Sequence, residues 1–213
     1  MEITAKNIQY KTLTKPLLNG ISFNIQTGKH FSICGNSGSG KTVLLLIIGG
    51  FLKPSSGSIH FDQKNIYSHI GEYRKMVGLG EISKNNLLVE EMTIRENLLF
   101  YADIYGKRLD ENAIFQLFKI FGIESYPDTP IMQSPPLVRA LTSLMCSMVH
   151  NPQLIFMDEP TSYLTVKERI NFWNIANKNL QEKTVFFTTK DEQEADVFSE
   201  QKLVLNNGHL ITT

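Results

Sequence analysis

A glycine-rich segment between two apolar runs carries the clearest chemical pattern in the chain. It reads Gly35-Asn36-Ser37-Gly38-Ser39-Gly40-Lys41-Thr42 and fits the spacing G-x-x-x-x-G-K-[ST]. Glycines at these positions let the backbone fold tightly enough for its N–H groups to point at phosphate oxygens. Lys41 is then expected to reach the β- and γ-phosphates, and the Thr42 hydroxyl is expected to bind Mg²⁺. The pattern predicts a site for a magnesium–nucleotide complex.

A second chemical pattern follows the four apolar residues at 154–157, which predict a buried strand. Asp158 and Glu159 come directly after this run. Asp158 is predicted to hold Mg²⁺ through water, and Glu159 stands where a general base for an attacking water is needed. A strand that ends in a solvated acidic turn would explain the same two residues without chemistry. The phosphate loop upstream favours the catalytic interpretation.

Predicted strands and helices place both patterns on an α/β core. Strands are expected at 3–10, 21–25, 30–34, 58–61, 76–79, 154–157 and 184–188, and a hairpin at 202–211 turns at Asn207-Gly208. Helices are expected at 41–51, 94–105, 110–122, 138–149 and 165–181, the second and last of them opened by capping boxes. Phe115, Phe118 and Phe121 are expected to bury one helix face. Helices dominate from about 93 to 150, which predicts a helical insertion in the core.

The composition is that of a globular chain. Its 213 residues are 42% hydrophobic and 20% charged, which argues against disorder. Lys plus Arg and Asp plus Glu both number 21, so net charge gives no support to wholesale capture by nucleic acid or an anionic membrane. Cys34 and Cys146 are too few for a disulfide framework and are expected to be reduced. The longest apolar stretch, 43–52, is half of the about 20 residues that a bilayer span needs, and no apolar leader follows Met1.

With these motifs the chain resembles the ATP-binding cassette (ABC) ATPases, the motor subunits of ABC transporters. The similarity extends over nearly the whole chain. It includes the lead-in to the phosphate loop at 17–23, the turn at 54–59, the acidic Walker B end with its loop at 158–162, and the late hairpin at 206–208. Tyr10 lies 25 residues before Gly35, where the family places an aromatic residue that stacks on adenine. A strand tyrosine packed at a sheet edge is the other interpretation of Tyr10.

The resemblance implies a P-loop NTPase fold of the ABC type, with a mixed sheet core, an antiparallel N-terminal β part and a helical subdomain. Residues 1–213 are expected to form one domain, with a core at about 1–80 and 151–213 and the subdomain at about 85–150. ATP and Mg²⁺ are the implied cofactors. The implied nucleotide contacts are Tyr10, Gly35, Asn36, Ser37, Gly38, Ser39, Gly40, Lys41, Thr42 and Lys190, with Lys41 and Glu159 in catalysis and Thr42 and Asp158 at the metal.

The chain departs from the family at its signature motif, Leu-Ser-Gly-Gly-Gln. The segment 18 residues before Pro152 reads Ser134-Pro135-Pro136-Leu137-Val138 and contains no glycine. In the family this motif caps the γ-phosphate of the ATP bound by the opposite subunit, with a serine hydroxyl, backbone N–H groups and a helix N-terminus. Two prolines remove two of those donors, and a leucine side chain crowds the approach of backbone to phosphate. The signature is therefore expected to be defective.

Further departures lie at the switch and glutamine positions. Lys190 follows the strand where the family has its switch histidine. Lysine can touch a γ-phosphate as a point charge but cannot serve as a neutral donor and acceptor. Residues 64–115 contain no glutamine, so Glu81 or Lys84 takes the place of the family's glutamine, depending on where a gap is put. Thr165 stands where the loop after Walker B usually ends in aspartate.

The expected function is an ATP-binding subunit that couples ATP–Mg²⁺ to transport through separate transmembrane permease subunits, on the inner face of the cell membrane and without nucleic acid. The segment 96–106 resembles exporter cassettes, and the lost motifs imply slow or asymmetric hydrolysis. A second ABC ATPase with an intact signature would complete the site in a heterodimer, whereas a homodimer would hold two defective sites. The alternative is a non-hydrolysing regulatory or structural cassette. A ribosome- or DNA-acting cassette is disfavoured, since the chain has one cassette, no basic linker and no long coiled-coil insertion.

Overall fold

The computed structural model describes residues 1–13, 15–81 and 87–211, and within them the chain forms two β-sheets flanked by helices. The strands are β1 (Glu2–Lys11), β2 (Pro16–Gln26), β3 (His30–Cys34), β4 (Ser56–Phe61), β5 (Lys64–Asn65), β6 (Val77–Leu79), β7 (Leu154–Asp158), β8 (Thr184–Thr189), β9 (Gln201–Asn206) and β10 (His209–Ile211). The α-helices are α1 (Lys41–Ile48), α2 (Ile70–Lys75), α3 (Ile94–Ile104), α4 (Glu111–Phe121), α5 (Pro136–Met148), α6 (Val166–Asn179) and α7 (Glu192–Phe198). Two 3₁₀ turns lie at Ile66–Ser68 and Ile131–Gln133.

The two sheets differ in strand direction. The N-terminal sheet has the order β2-β1-β4-β5 and is antiparallel throughout. The larger sheet has the order β10-β9-β3-β8-β7-β6 and is parallel except for the β9–β10 hairpin. The predicted α/β class, with a mixed sheet, an antiparallel N-terminal part and a helical part, is therefore confirmed.

Aromatic packing holds the central parallel strands together. Every residue of β7 and β8 is buried, as expected for strands covered on both faces. The Phe186 ring stacks on Phe31 in β3 and on Phe156 in β7, with centroids 5.2 and 4.9 Å apart. Because β3, β8 and β7 are parallel neighbours, their carboxyl ends meet at one edge of the sheet, where α/β proteins bind ligands.

Several element boundaries differ from the sequence predictions. The helix expected at 41–51 ends at Ile48, since Gly49 and Gly50 follow and Gly50 has a φ of 76°. Neither α2 nor α7 was expected, because both are short and carry few apolar residues. The predicted subdomain begins at residue 85, which lies outside the described residues.

The helical part begins where its caps predict. Thr93 and Thr165 form the capping boxes of α3 and α6, and the Asp110 carboxylate accepts the backbone N–H of residue 113 to cap α4. Phe118 and Phe121 are buried, but the prediction for Phe115 is wrong, because its side chain is 55% exposed. Each three-residue step falls about 60° short of a full turn, so Phe115 and Phe121 lie about 120° apart around the helix.

His150 joins the helical part to the parallel sheet. Its ring stacks on Tyr105 with centroids 3.6 Å apart, and its Nε2 lies 3.0 Å from the Val77 carbonyl oxygen. Burial lowers the pKa of His150 below its ordinary value. The folded chain therefore resists protonation at His150 more than the unfolded chain does.

Acid should destabilise the fold through His150, because stability is lost as the pH falls below the unfolded-state pKa of about 6.5. The variant His150→Phe keeps a ring against Tyr105 but cannot titrate. We expect it to flatten the decline in the free energy of unfolding between about pH 6.5 and pH 5. Urea unfolding at stepped pH measures this decline. An equal decline in both proteins would contradict the role given to His150.

Candidate functional site

The carboxyl ends of β3, β8 and β7 surround a cleft of about 600 Å³. Asp158 and Glu159 line this cleft, as do six of the predicted nucleotide contacts, namely Ser37, Gly38, Gly40, Lys41, Thr42 and Lys190. Two sequence patterns 116 residues apart therefore meet in one cleft. Their roles in binding and catalysis remain predictions.

The phosphate loop connects β3 to α1 and curls around the lysine head group. The Lys41 Nζ donates to the carbonyl oxygens of Gly35 and Asn36 at 2.8 and 3.1 Å, and the Lys41 side chain is only 5% exposed. Gly40 starts α1 with a φ of 103°, and a Cβ there would lie 2.8 Å from Leu18. The first N–H groups of α1 have no partner inside the helix. A helix N-terminus and one fixed ammonium thus face the cleft, which fits a polyphosphate.

The β9–β10 hairpin packs against the phosphate loop. A Cβ on Gly35 would lie 2.1 Å from the Leu205 carbonyl oxygen, and the Gly208 N–H donates to the Ser39 carbonyl at 3.2 Å. Gly35, Asn36 and Ser39 are not among the described residues that line the cleft. Gly35 and Ser39 instead contact the β9–β10 hairpin, and the Asn36 carbonyl accepts a hydrogen bond from Lys41.

Asp158 sits between two threonine hydroxyls. The Thr42 hydroxyl donates to Asp158 Oδ2 at 2.8 Å, and the Thr188 hydroxyl donates to Oδ1. Burial raises the pKa of Asp158, although both hydroxyls and the Lys41 ammonium act in the opposite direction. A hydroxyl beside a carboxylate offers the oxygen ligands that Mg²⁺ takes in nucleotide sites. The described residues contain no cluster of three or more His, Cys, Asp or Glu suited to a metal, so phosphate oxygens and water would complete the coordination.

The variant Asp158→Asn should stay folded but lose Mg²⁺ binding. Since burial raises the pKa of Asp158, its charged form costs stability at pH values above the unfolded-state pKa of about 3.9, and the neutral amide avoids that cost. We expect the melting temperature of the nucleotide-free variant to rise by about 2 °C. The further rise caused by Mg²⁺ with nucleotide should disappear. Thermal unfolding measures both changes, with Asp103→Asn at an exposed position of α3 as control. A melting temperature that still rises with Mg²⁺ and nucleotide would contradict the assignment.

Glu159 lies between two lysines. Its Oε1 is 3.5 Å from Lys41 Nζ, and its Oε2 is 2.8 Å from Lys190 Nζ. The Glu159 backbone has a φ of 49°, and its N–H donates to both the carbonyl and the hydroxyl oxygen of Thr188. A non-glycine residue held in the left-handed region marks a position where the surroundings over-determine the backbone. The carboxylate of Glu159, the predicted base, therefore lies between the ammonium groups of Lys41 and Lys190, the two predicted cationic contacts.

Tyr10 is not brought into the cleft wall. It lies in β1, is partly buried, and packs against the hydrophobic core that the N-terminal sheet shares with α1 and the parallel sheet. Among the described residues, the cleft takes Leu17 from the following strand instead. Adenine stacking by Tyr10 stays a prediction.

Sequence reasoning named Glu81 only as one of two alternatives and missed Tyr163, and both residues line the cleft. Glu81 lines the cleft, its backbone oxygen accepts the Asp158 N–H at 2.7 Å, and its carboxylate accepts the Tyr163 hydroxyl at 2.6 Å. Burial raises the pKa of Glu81. Of the two residues considered for the missing glutamine, Glu81 therefore faces the cleft, while Lys84 lies outside the described residues. No motif signals the Tyr163 contact, because its partner comes from another part of the chain.

A buried carboxylate ties together the elements behind Glu159 and Lys190. Glu194 is 5% exposed and accepts hydrogen bonds from Thr161, from Trp173 Nε1 at 2.8 Å and from Thr189 Oγ1 at 2.5 Å. Thr161 follows β7, Thr189 ends β8, and Trp173 belongs to α6. The single side chain of Glu194 thus fixes the backbone that positions both cleft residues.

The segment at the family's signature position turns its polar group inward. The Ser134 hydroxyl donates to the Pro130 carbonyl at 3.0 Å, and Ser134 is 8% exposed. α5 begins at Pro136 without a side-chain cap, and Leu137 packs partly buried against the helical core. The side chains exposed at the start of α5 are therefore those of Pro135 and Pro136.

The comparison with known protein families decides the assignment. The family model described as "ABC transporter" matches residues 18–162, more than half of the chain. This chain belongs to the ABC transporter family. The resemblance identified from its motifs is confirmed.

Solved cassette structures share the fold. One is cbiO1 from Clostridium perfringens, part of the ABC transporter complex cbiONQ, with 25% identity, a TM-score of 0.83, and coverage of 99% of this chain and 86% of that chain. A nucleotide-free ATP-binding cassette from an ABC transporter matches with 21% identity and a TM-score of 0.84, covering 100% of this chain and 90% of that one.

Curated relatives include proteins named for export and for import. The Nod factor export ATP-binding protein I of Sinorhizobium fredii is 28% identical over 98% of this chain and 61% of its own length. The spermidine/putrescine import ATP-binding protein PotA of Spiroplasma citri is 28% identical over 95% of this chain and 58% of its own length. The chain thus spans less than two thirds of the length of these two curated relatives. Within its described residues, no helix is both long and apolar enough to cross a membrane.

Proposed function

We propose that this chain is the ATP-binding subunit of an ABC transporter and couples ATP–Mg²⁺ to transport through separate transmembrane permease subunits. The convergence of Lys41, Thr42, Asp158 and Glu159 in one cleft carries the proposal. One domain over 1–213 is proposed with it, its core at about 1–80 and 151–213 and its helical subdomain at about 85–150.

The roles of the cleft residues follow from their positions. Lys41 and the start of α1 bind the phosphates, and Thr42 with Asp158 would hold Mg²⁺. When bound there, Mg²⁺ would supply charge neutralisation at the phosphate oxygens. Glu159 accepts the proton of the attacking water once its carboxylate is released from Lys190.

Slow and asymmetric hydrolysis is part of the proposal. Ser134 faces inward, so this chain offers the opposite subunit no hydroxyl for its γ-phosphate. Lys190 offers one positive charge in place of a neutral histidine. A second ABC ATPase with an intact signature would complete the site on this chain's phosphate loop, and we therefore propose a heterodimer rather than a homodimer.

The direction of transport and the position of the chain at the membrane are also proposed, each from a single argument. The relatives are named for both export and import. The segment 96–106, most of which forms α3, resembles exporter cassettes and supports export. A cassette that works on permease subunits acts at the inner face of the cell membrane.

A non-hydrolysing regulatory cassette is the second candidate. The pairing of Glu159 with Lys190 at 2.8 Å favours it, because the ammonium occupies a carboxylate oxygen that would have to accept the proton of water. The presence of both Asp158 and Glu159 in the cleft favours turnover.

ATP binding and ATP turnover, measured on the same purified chain, separate the two candidates. We expect Mg²⁺-dependent ATP binding with slow turnover that Glu159→Gln removes, while the exposed Glu192→Gln leaves it unchanged. Binding without turnover, even in the complex with its native partners, would favour the regulatory cassette. Robust turnover by the chain alone, lost in Glu159→Gln, would overturn the proposal of a defective site.

A further inference from the structure

The cleft wall beside Asp158 carries a carboxylate whose hydrogen-bond partner is neutral. The Glu81 backbone oxygen accepts the Asp158 N–H at 2.7 Å, so Glu81 is anchored next to the proposed metal ligand. The Glu81 carboxylate accepts the Tyr163 hydroxyl at 2.6 Å. A neutral donor orients a carboxylate without cancelling its charge.

Negative side chains outnumber positive ones in this cleft. Among the described residues that line it, two are lysines and three are carboxylates, namely Lys41, Lys190, Glu81, Asp158 and Glu159. The two ammonium groups already lie 3.5 and 2.8 Å from the Glu159 carboxylate. A nucleotide polyphosphate that enters without a cation therefore meets a surplus of negative charge. Repulsion between like charges is stronger in a site partly shielded from water than in bulk water.

The surroundings of Glu81 favour its charged form but do not pair it with a cation. Burial raises the pKa of Glu81, whereas the hydrogen bond from Tyr163 and the Arg139 guanidinium act in the opposite direction. Arg139 itself donates to both carboxylate oxygens of Glu90, at 2.7 and 2.6 Å. It therefore acts on Glu81 from a distance rather than by forming a salt bridge with it.

We propose that Glu81 makes the cleft select the Mg²⁺ complex of a nucleotide over the free nucleotide anion, and that the Tyr163 hydroxyl fixes the Glu81 carboxylate for this selection. The inference rests on the proposed function and deepens it. Mg²⁺ at Thr42 and Asp158 would bring positive charge to the residue beside Glu81, which offsets the repulsion between this carboxylate and the phosphates. Glu81 faces the cleft in the region where the family has a neutral glutamine, and an amide would not exert this repulsion.

Equilibrium binding of AMP-PNP, a non-hydrolysable ATP analogue, tests the selection. Each protein is titrated by calorimetry once with Mg²⁺ and once with EDTA, at about pH 8, where an ordinary carboxyl is ionised. The wild-type chain should bind the metal-free nucleotide at least about tenfold more weakly than the Mg²⁺ complex.

Glu81→Gln keeps the shape of the side chain and an oxygen acceptor for Tyr163, so it should fold as the wild-type chain does. It should tighten binding of the metal-free nucleotide about tenfold and leave the affinity for the Mg²⁺ complex within about threefold. The exposed Glu124→Gln, after α4, changes net charge equally and should leave both affinities within about twofold.

Tyr163→Phe tests the positioning role, because it removes only the hydroxyl. A carboxylate released from this bond can turn toward water, so binding of the metal-free nucleotide should tighten about threefold. In the Glu81→Gln background the same substitution should change that affinity by less than about twofold, since no charge remains to be positioned. A purely structural loss would instead weaken binding of both forms of the nucleotide in both backgrounds.

The titrations with and without Mg²⁺ decide between the outcomes. Tightening confined to the metal-free nucleotide in Glu81→Gln supports the selection. Unchanged metal-free affinity, equal tightening of both forms, or weaker binding of the Mg²⁺ complex overturns it, and the last result would make Glu81 a metal ligand. An equal effect of Tyr163→Phe with either residue at position 81 overturns the positioning role.

The wild-type chain distinguishes failure of this inference from failure of the proposed function. If it binds both forms of AMP-PNP equally well, the selection by Glu81 is overturned and the proposed function stands. If it binds neither form, the proposed function is overturned, and the selection falls with it.

Discussion

Lys41→Met is expected to weaken Mg²⁺–ATP binding by at least about 100-fold, because it removes a buried charge that makes several contacts at once. The Lys41 ammonium sits inside the curl of the phosphate loop, at 2.8 Å from the Gly35 carbonyl. Methionine fills the same volume and leaves the phosphates without their fixed cation. Calorimetric titration of the purified chain with Mg²⁺–ATP measures the effect.

Lys53→Met is the matched control for this change, since Lys53 is exposed in the turn after α1. It alters net charge equally and should leave affinity within about twofold. Affinity of Lys41→Met within threefold of the wild-type value would show that the nucleotide does not bind in this cleft.

Glu194→Ala is expected to lower the free energy of unfolding by about 3 kcal/mol, because it leaves buried donors without an acceptor. Those donors are the side chains of Thr161, Trp173 and Thr189. The loss also releases the backbone around Glu159 and Lys190, so nucleotide affinity should fall in the folded variant as well. Denaturant unfolding measures the stability.

Glu192→Ala lies on the same helix, two residues earlier, and its side chain is exposed. It should change the free energy of unfolding by less than about 0.5 kcal/mol. Equal effects of the two substitutions would contradict the role given to the buried carboxylate.

Local signals predicted most of the fold. Thr93, Asp110 and Thr165 mark helix starts through caps that involve only their neighbours in sequence, and Asn207-Gly208 marks the hairpin that forms between β9 and β10. The short helices α2 and α7 escaped prediction because tertiary packing, rather than an apolar repeat, supports them. Exposure of Phe115 shows that a repeat of three does not follow the helical period.

Those parts of the candidate site that lie within a sequence motif could be predicted from the sequence. The phosphate loop follows β3 and the Asp158-Glu159 pair ends β7, and both strands pair in parallel with β8 between them, so the sheet brings the two motifs together. Contacts between distant segments were not predictable. Neither the Thr188 hydroxyl on Asp158 nor the Tyr163 hydroxyl on Glu81 leaves a pattern in sequence, because each partner is set by the packing of another element.

The departures from the family form a consistent set in the structure. Ser134 faces inward, and Lys190 pairs with Glu159 in place of a switch histidine. Both positions are ones proposed to contact a γ-phosphate, whereas Lys41, Thr42 and Asp158 are proposed to hold the rest of the nucleotide and its Mg²⁺. This division supports a subunit that binds ATP and depends on another subunit for efficient turnover.

Gentle extraction of the tagged chain from its native membranes, followed by mass spectrometry of the proteins that co-purify, tests the central claim most directly. The proposed function predicts a permease together with a second ABC ATPase that carries an intact signature. A permease with this chain as its only ATPase would replace the heterodimer by a homodimer. Absence of any membrane protein, in a preparation where the tagged chain still binds ATP, would contradict the assignment to a transporter.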